Sequence, residues 1–218
     1  MDAVEVIDKL YLERKCLSPE WNGVIDSVVS EFTLNCEQEH VFRIVTNHVY
    51  QEKNEQLKMY IGGMGGTDKS QVLKALMRFF ELQNKSHQFV VVAPTGSAAA
   101  LLGGSMYYSM FDINDREDLW KEMLPKIRAW LVGVEYVFFD EVSMLSCQDL
   151  FRLSLQMVWV TGDDESSFGG LNMIPAGNFA QLPPIIGRDN AALYSRTVGA
   201  CSNICREQEA SIGKALWH

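Results

Sequence analysis

The sequence contains no run of about 18 uncharged apolar residues, so no helical membrane span is expected. Its opening residues, MDAVEVIDKLYLERK, lack the basic-then-apolar order of a secretory leader and are instead acidic and amphipathic. Basic side chains are scarce: 19 Lys and Arg stand against 28 Asp and Glu, for a formal net charge of −9. That balance excludes a surface that binds polyanions everywhere, because non-specific nucleic-acid affinity comes from neutralising phosphates with Lys and Arg. It leaves room for a local basic groove. The 5 cysteines, Cys16, Cys36, Cys147, Cys201 and Cys205, are spread along the chain, and only the last two are close. No second Cys/His pair completes a zinc site around them. Of the histidines, His40 and His48 share one amphipathic segment while His87 and His218 are isolated. Passive reduced thiols and no metal cluster are therefore expected. What is present is ordinary for a globular protein: 218 residues, 47% apolar and 22% charged, enough for one α/β domain with a real core. The expectation is a soluble intracellular protein.

No repeat or low-complexity tract interrupts the chain. Residues 1–33 carry two weak helical patterns split at Ser18-Pro19-Glu20 and read as a peripheral helical lead-in. From Leu34 the pattern is regular. EQEHVFRIVTNHVYQ puts Val41, Ile44, Val45, His48 and Val49 on one helical face. Leu57–Ile61 reads as a strand, followed by a glycine cluster and a helix over Lys69–Leu82. Phe89–Ala93 (FVVVA) and Val134–Phe139 (VEYVFF) are continuous apolar runs suited to buried parallel strands. Helices are expected over Thr95–Leu102, over Arg116–Leu131 (with Trp120, Leu124, Ile127 and Trp130 on one side) and over Cys147–Val160, and a further strand over Leu171–Ala176. Strands alternating with helices imply βαβ units around a mostly parallel central sheet flanked by helices.

The glycine cluster reads Gly62-Gly63-Met64-Gly65-Gly66-Thr67-Asp68-Lys69-Ser70, between a strand and a helix. A phosphate-cradling loop belongs in that context: backbone N–H groups and the helix N-terminus face the anion, the Lys reaches the outer phosphates, and the Ser hydroxyl ligates Mg²⁺. The plain alternative is a glycine-rich βα turn. One position departs from the P-loop pattern, since Asp68 stands where glycine should precede Lys69. A carboxylate about 5 Å from a phosphate is opposed by about 3 kcal/mol at an effective dielectric of about 20. Left-handed backbone strain would add about 1 to 2 kcal/mol. Together these weaken nucleotide affinity by roughly a thousandfold, unless Lys69 or Mg²⁺ compensates. Downstream, Asp140-Glu141 ends an apolar strand. In a P-loop enzyme the first acid holds Mg²⁺ and the next polarises the attacking water; the plain alternative is a strand-end turn with a capping acid. Gly177-Asn178-Phe179-Ala180-Gln181-Leu182-Pro183-Pro184 then places Gln181 on a proline-stiffened loop, from which it can reach a γ-phosphate.

These stretches, with Ala93-Pro94-Thr95-Gly96-Ser97-Ala98-Ala99-Ala100 between them, resemble the superfamily-one DNA helicases of the Pif type, most closely the copies carried by Helitron transposons. The wording runs LNCEQ, GGMGGTDKS, APTGSAAALLGG, FFDEVSMLS, FGGLNMIPAGNFAQLPP and the tail ALYSRTVGA…REQEASIGKALWH, covering about Leu34 to His218. The resemblance implies a RecA-like P-loop domain over residues 34–218 that binds ATP and Mg²⁺. Gln38 is similar to the glutamine that reads the adenine edge. Gly63, Gly65, Gly66, Thr67 and Asp68 occupy the phosphate loop, and Lys69 and Ser70 the phosphate and Mg²⁺ contacts. Asp140 resembles the metal-binding acid, Glu141 the hydrolytic residue and Gln181 the γ-phosphate sensor. Pro94-Thr95-Gly96 and Ser105–Ser109 lie where the family grips single-stranded DNA. The family walks 5′-to-3′ along single strands and separates duplexes in repair, recombination, telomere maintenance or transposition, in nucleus or mitochondrion.

The departures also carry expectations. Besides Asp68, Asn178 replaces an Asp, Met106 a Thr and Tyr108 a His, and Pro175 interrupts a strand that should be central, removing a ladder hydrogen bond. The family's second motor domain, with its arginine finger, is not found before His218, so weak hydrolysis and no unwinding are expected of this chain alone. The alternative reading is a non-catalytic remnant of a transposon helicase that acts at most as an interaction domain. A metabolic kinase is a third, for which nothing resembles an acceptor pocket or lid.

Overall fold

Strand β4 (Tyr136–Phe139) sets the architecture. All of its residues are buried, as in a strand covered on both faces. The computed structural model describes residues 19–50, 55–63, 68–96, 104–106, 120–181, 184, 191–195 and 204–218. In it β4 pairs in parallel with β2 (Phe89–Ala93) on one side and with β5 (Asn172–Gly177) on the other. β1 (Ile61–Gly62) joins β5 and β3 (Ser105–Met106) joins β2, so the sheet order is β1-β5-β4-β2-β3 with every strand pair parallel. The helices are α1 (Pro19–Glu31), α2 (Cys36–Val49), α3 (Asp68–Leu82), α4 (Trp120–Leu131), α5 (Cys147–Thr161) and α6 (Ile204–Trp217). The chain divides into two compact units, Met1–Glu55 with Thr67–Ser86, and Gln56–Gly66 with His87–His218.

In the first unit α1 begins at Pro19, where a missing N–H costs nothing because first-turn donors are unpaired anyway. The helix read as part of a lead-in buries Ile25 and Val28 completely. Arg43 of α2 bonds Asp26 of α1 at 2.5 Å and Glu39 at 2.7 Å, while Arg78 of α3 lies 3.4 Å from Glu31 and 2.8 Å from Glu81. Phe42 and Phe79 meet edge-on at 6.0 Å, and both are fully buried. On α2 the expected stripe is buried at Ile44, Val45 and His48, with Val41 and Val49 half-buried and Phe42 and Thr46 completing the face. His48 sits inside because its Nε2 lies 2.7 Å from the Glu55 carbonyl oxygen.

The second unit holds the sheet. The strand expected over Phe89–Ala93 spans those residues, and α5 follows the Cys147–Val160 pattern with one residue more. The helix read over Arg116–Leu131 is described from Trp120 onward and carries Pro125 inside it. Of the short helix read over Thr95–Leu102, only Thr95 and Gly96 lie within the described residues.

The Leu57–Ile61 strand is shorter than its apolar run. Lys58 bridges Met173, with Met59 N–H donating to the Met173 carbonyl at 3.0 Å, and strand pairing resumes in the same register only at Ile61 with Ala176. The cause lies across the sheet. Met173 N–H donates to the Leu57 carbonyl and Asn172 N–H to the Glu135 carbonyl, so alternate amides of β5 face opposite neighbours. The amide facing the Met59 carbonyl would be that of residue 175, and Pro175 has none. The lost ladder bond expected from Pro175 therefore falls on the β1 side, while its pairing with Phe139 of β4 is kept.

Helix α6 is fixed on α5 by small residues and one acid. Ala210 is buried, and Glu209 accepts from Gln148 at 2.7 Å and from Arg152 at 3.3 Å. A Cβ on Gly213 would stand 1.7 Å from the Cys147 carbonyl oxygen. Gly213 is thus the point of closest approach, which explains a glycine inside a helix where it otherwise costs about 1 kcal/mol. Gly213→Ala should destabilise the protein by about 3 kcal/mol through overpacking. Gly23→Ala in α1, with nothing within 4 Å of the new methyl, should stabilise it by about 1 kcal/mol. Urea unfolding followed by circular dichroism measures both.

Candidate nucleotide-binding site

Because the strands are parallel, their carboxyl ends lie along one edge of the sheet. β1 leads into Gly63, β5 into Asn178–Gln181, β4 into Asp140-Glu141 and β2 into Pro94–Gly96. With about 4.8 Å between neighbouring strands, the ends of β1 and β4 lie about 10 Å apart with β5 between them.

Asp140 continues β4 by one bond, its N–H donating to the Val92 carbonyl at 2.9 Å. Glu141 then turns the chain sharply. Its backbone is left-handed, φ 52° and ψ 44°, and it heads a single 3-10 turn, Val142–Met144. That conformation costs a non-glycine residue about 1 to 2 kcal/mol. The turn ends at Ser146, whose hydroxyl accepts from Asp149 N–H at 3.1 Å while Asp149 Oδ2 accepts from Ser146 N–H at 3.2 Å, starting α5 with a reciprocal cap. Strand, strained acid, one tight turn and helix leave both carboxylates half-buried at the sheet edge. Ser143 inside the turn is 1% exposed, and its hydroxyl makes no hydrogen bond.

The neighbouring loop is built against that turn. A Cβ on Gly177 would lie 3.1 Å from the Val142 nitrogen and 3.3 Å from the Ser143 nitrogen. Tyr60 donates its hydroxyl proton to the Gly177 carbonyl at 2.9 Å, and burial raises the Tyr60 pKa, which keeps the phenol a donor. Asn178 Oδ1 accepts from Ala180 N–H at 3.0 Å and the Asn178 carbonyl from Gln181 N–H at 2.9 Å, so Gln181 leaves an Asx turn and is exposed. An aspartate accepts that same side-chain bond, so Asn178 keeps the turn and removes only the charge.

Lys69, Ser70 and Gln38 belong to the first unit. Lys69 is 8% exposed in the first turn of α3, with Ser70 exposed beside it. α3 takes in Asp68 as its first residue, so the backbone there is helical and the left-handed strain weighed from the sequence does not arise. An acid at that position favours the helix macrodipole by about 0.3 to 1 kcal/mol. Gln38, the third residue of α2, forms a capping box with Asn35: its N–H donates to Asn35 Oδ1 at 2.9 Å and its Oε1 accepts from Asn35 N–H at 3.0 Å. The amide carries two further N–H donors, so capping does not exhaust its capacity.

Gly65, Gly66, Thr67 and the Asp68 side chain lie outside the described residues, as do Tyr108 and Pro183. Ser105 and Met106, read as part of a DNA grip, form the edge strand β3. No described group of three His, Cys, Asp or Glu could hold a metal ion, and Cys36, Cys147 and Cys205 are not joined in disulfides. No described helix is long and apolar enough to cross a membrane. Sequence reading missed Tyr60, Ser143 and the packing role of Gly177. It also missed the Asn35–Gln38 cap, although Asn-x-x-Gln ahead of an apolar face signals one.

Parallel sheet, phosphate-loop motif, strand-end acid pair and adjacent glutamine loop together define a RecA-like α/β domain of the P-loop class. The chain belongs to the PIF1-like helicase family, whose model matches residues 33–204. It is 30% identical over 184 residues to the ATP-dependent DNA helicase PIF3 of Trypanosoma brucei brucei, covering 83% of this chain and 21% of that protein. The Pif1 helicase from Candida albicans superposes with a TM-score of 0.60 at 27% identity, covering 70% of this chain and 34% of that one. Pif1 helicase from Bacteroides, solved in complex with ADP-AlF3 and ssDNA, gives 0.54 at 25% identity, over 70% of this chain and 34% of that one. The chain thus spans about a fifth to a third of the length of these proteins. Nothing in these likenesses favours the remnant reading over the helicase one.

Two substitutions separate strain from packing at the sheet edge. Glu141→Gly should leave the unfolding free energy within about 0.5 kcal/mol of the parent, strain relief being offset by the entropy of the unfolded glycine chain. Gly177→Ala should lower it by about 2 kcal/mol, since the methyl must displace backbone. Equilibrium denaturation of the two variants side by side checks this.

Proposed function

We propose that this chain is the ATP-binding part of a PIF1-type, ATP-dependent DNA helicase that moves 5′-to-3′ on single-stranded DNA. The observation that carries the reading is the half-buried pair Asp140-Glu141 at the end of β4, with the strained Glu141 beside the Gly177–Gln181 loop. Strain held at a polar strand end is found where function requires the geometry.

Each residue has a role in this reading. Gln38 reads the adenine edge. The backbone amides of Gly63, Gly65, Gly66 and Thr67 face the phosphates, and the Lys69 ammonium contacts the outer ones. By the resemblance, the Ser70 hydroxyl and the Asp140 carboxylate would each offer an oxygen to Mg²⁺, the kind of donor that ion takes beside substrate phosphates. When bound, that ion neutralises charge on the β- and γ-phosphates. Glu141 accepts a proton from the attacking water, and Gln181 registers the γ-phosphate. Pro94–Gly96 and the segment from Ser105 face the single strand. By the family resemblance, this reading sets its work on DNA in nucleus or mitochondrion. The wording of the motifs supports a place nearest the transposon-borne members of the family, hence a role in transposition beside repair, recombination or telomere maintenance.

Asp68 is the internal test of the reading. With strain removed, its charge alone opposes a phosphate by about 3 kcal/mol, so Asp68→Gly should tighten a fluorescent ATP analogue by about a hundredfold. Lys69→Ala should abolish binding in both backgrounds. An affinity untouched by Lys69→Ala overturns the nucleotide site. Equal tight binding by parent and Asp68→Gly shows that the carboxylate is tolerated. ATPase assays with and without single-stranded DNA then test the helicase assignment.

A further inference from the structure

Phe179 lies two positions before Gln181, inside the loop that follows β5. Its ring meets three others: Tyr60 at 5.4 Å, Tyr194 at 5.4 Å and Trp217 at 5.5 Å between centroids. Tyr60 and Trp217 also meet each other at 5.5 Å. The cluster therefore ties the loop to the residue before β1 and to the last turn of α6. Tyr60 holds the loop a second time, through its hydroxyl on the Gly177 carbonyl. The Asx turn fixes the short path from Phe179 to Gln181. Gln181 therefore cannot move far without carrying the Phe179 ring, and that ring cannot move without disturbing Tyr60 and Trp217.

The cluster also has room to shift. A cavity of about 170 Å³ is lined by Tyr60, Phe139, Val142, Met173, Pro175 and Trp217, among others. Tyr60 and Tyr194 are 41% and 43% exposed, so the rings are not locked from above. One helical turn before Trp217, Gly213 seats α6 closely on the Cys147 carbonyl, so Trp217 lies in the turn beyond that contact. Phe179 and Trp217 are only partly buried and pack against the rim of the core that β4, β5 and α5 form.

We propose that Tyr60, Phe179 and Trp217 are positioning residues for Gln181: they set where the γ-phosphate sensor sits and carry its displacement to α6. This rests on the nucleotide reading given above. The chain has 5 tryptophans, so the assay needs a difference. Tryptophan emission is recorded with Mg·ATPγS and with Mg·ADP, in the parent chain and in Asp68→Gly, while binding is measured separately with mant-ATP. A difference in emission between the two nucleotides is expected, lost in Trp217→Phe. Phe179→Leu should abolish it with mant-ATP affinity kept within about threefold, and Phe179→Tyr, which keeps a ring, should retain it. No mant-ATP binding by either background overturns the nucleotide reading and the positioning role with it. Binding without a nucleotide-dependent difference, or a difference that survives Phe179→Leu, overturns the positioning role alone.

Discussion

The hydrogen-bond ladder on both edges of β4 is the constraint from which the second unit follows. Tyr136 to Phe139 are buried, so every backbone group there must be paired, and β2 and β5 do this from either side. Asp140 carries the ladder one bond further, and the next residue abandons it. A buried strand cannot end gradually against a sheet edge while keeping its amides satisfied. The left-handed Glu141 and the single 3-10 turn end it within a few residues and deliver the chain to the cap of α5. The acid pair thus stands at the point where that strand must stop.

The same turn explains why the loop after β5 has its composition. Gly177 admits the Val142 and Ser143 nitrogens at distances tighter than nearly all side chains meet, and the Asx turn at Asn178 reverses the chain at once. Two adjacent strand ends are thus joined by close backbone contact, to which the Phe179 ring contacts and the Tyr60 hydroxyl add side-chain anchors. Substitution of Asp by Asn at 178 leaves this joint intact, so the departure is electrostatic and not architectural.

Much of the fold was legible because its signals are local. FVVVA reads as a buried strand from five residues alone, and the α3 and α5 periodicities fix those helices to within a residue or so. The motif order at the strand ends was legible for the same reason. What was hidden depends on partners distant in sequence. The LKMYI run is apolar enough for a full strand, yet its ladder breaks because of a proline over a hundred residues away, at position 175. The helical glycine at 213 has meaning only against Cys147, and the strain at Glu141 leaves no mark in residue type. Phe179 reads as one more apolar loop residue until α6 supplies Trp217.

Pro175 carries one more consequence. β1 is very short, and its pairing with β5 is interrupted where the proline has no amide to offer. Edge strands invite aggregation because their unpaired amides template foreign strands. Were β1 to peel away, the edge left on β5 would present a gap in its donors at its fourth residue. Proline on an exposed edge is one of the ways natural sheets refuse intermolecular pairing. The residue that weakens the ladder inside the molecule also protects against its extension outside it.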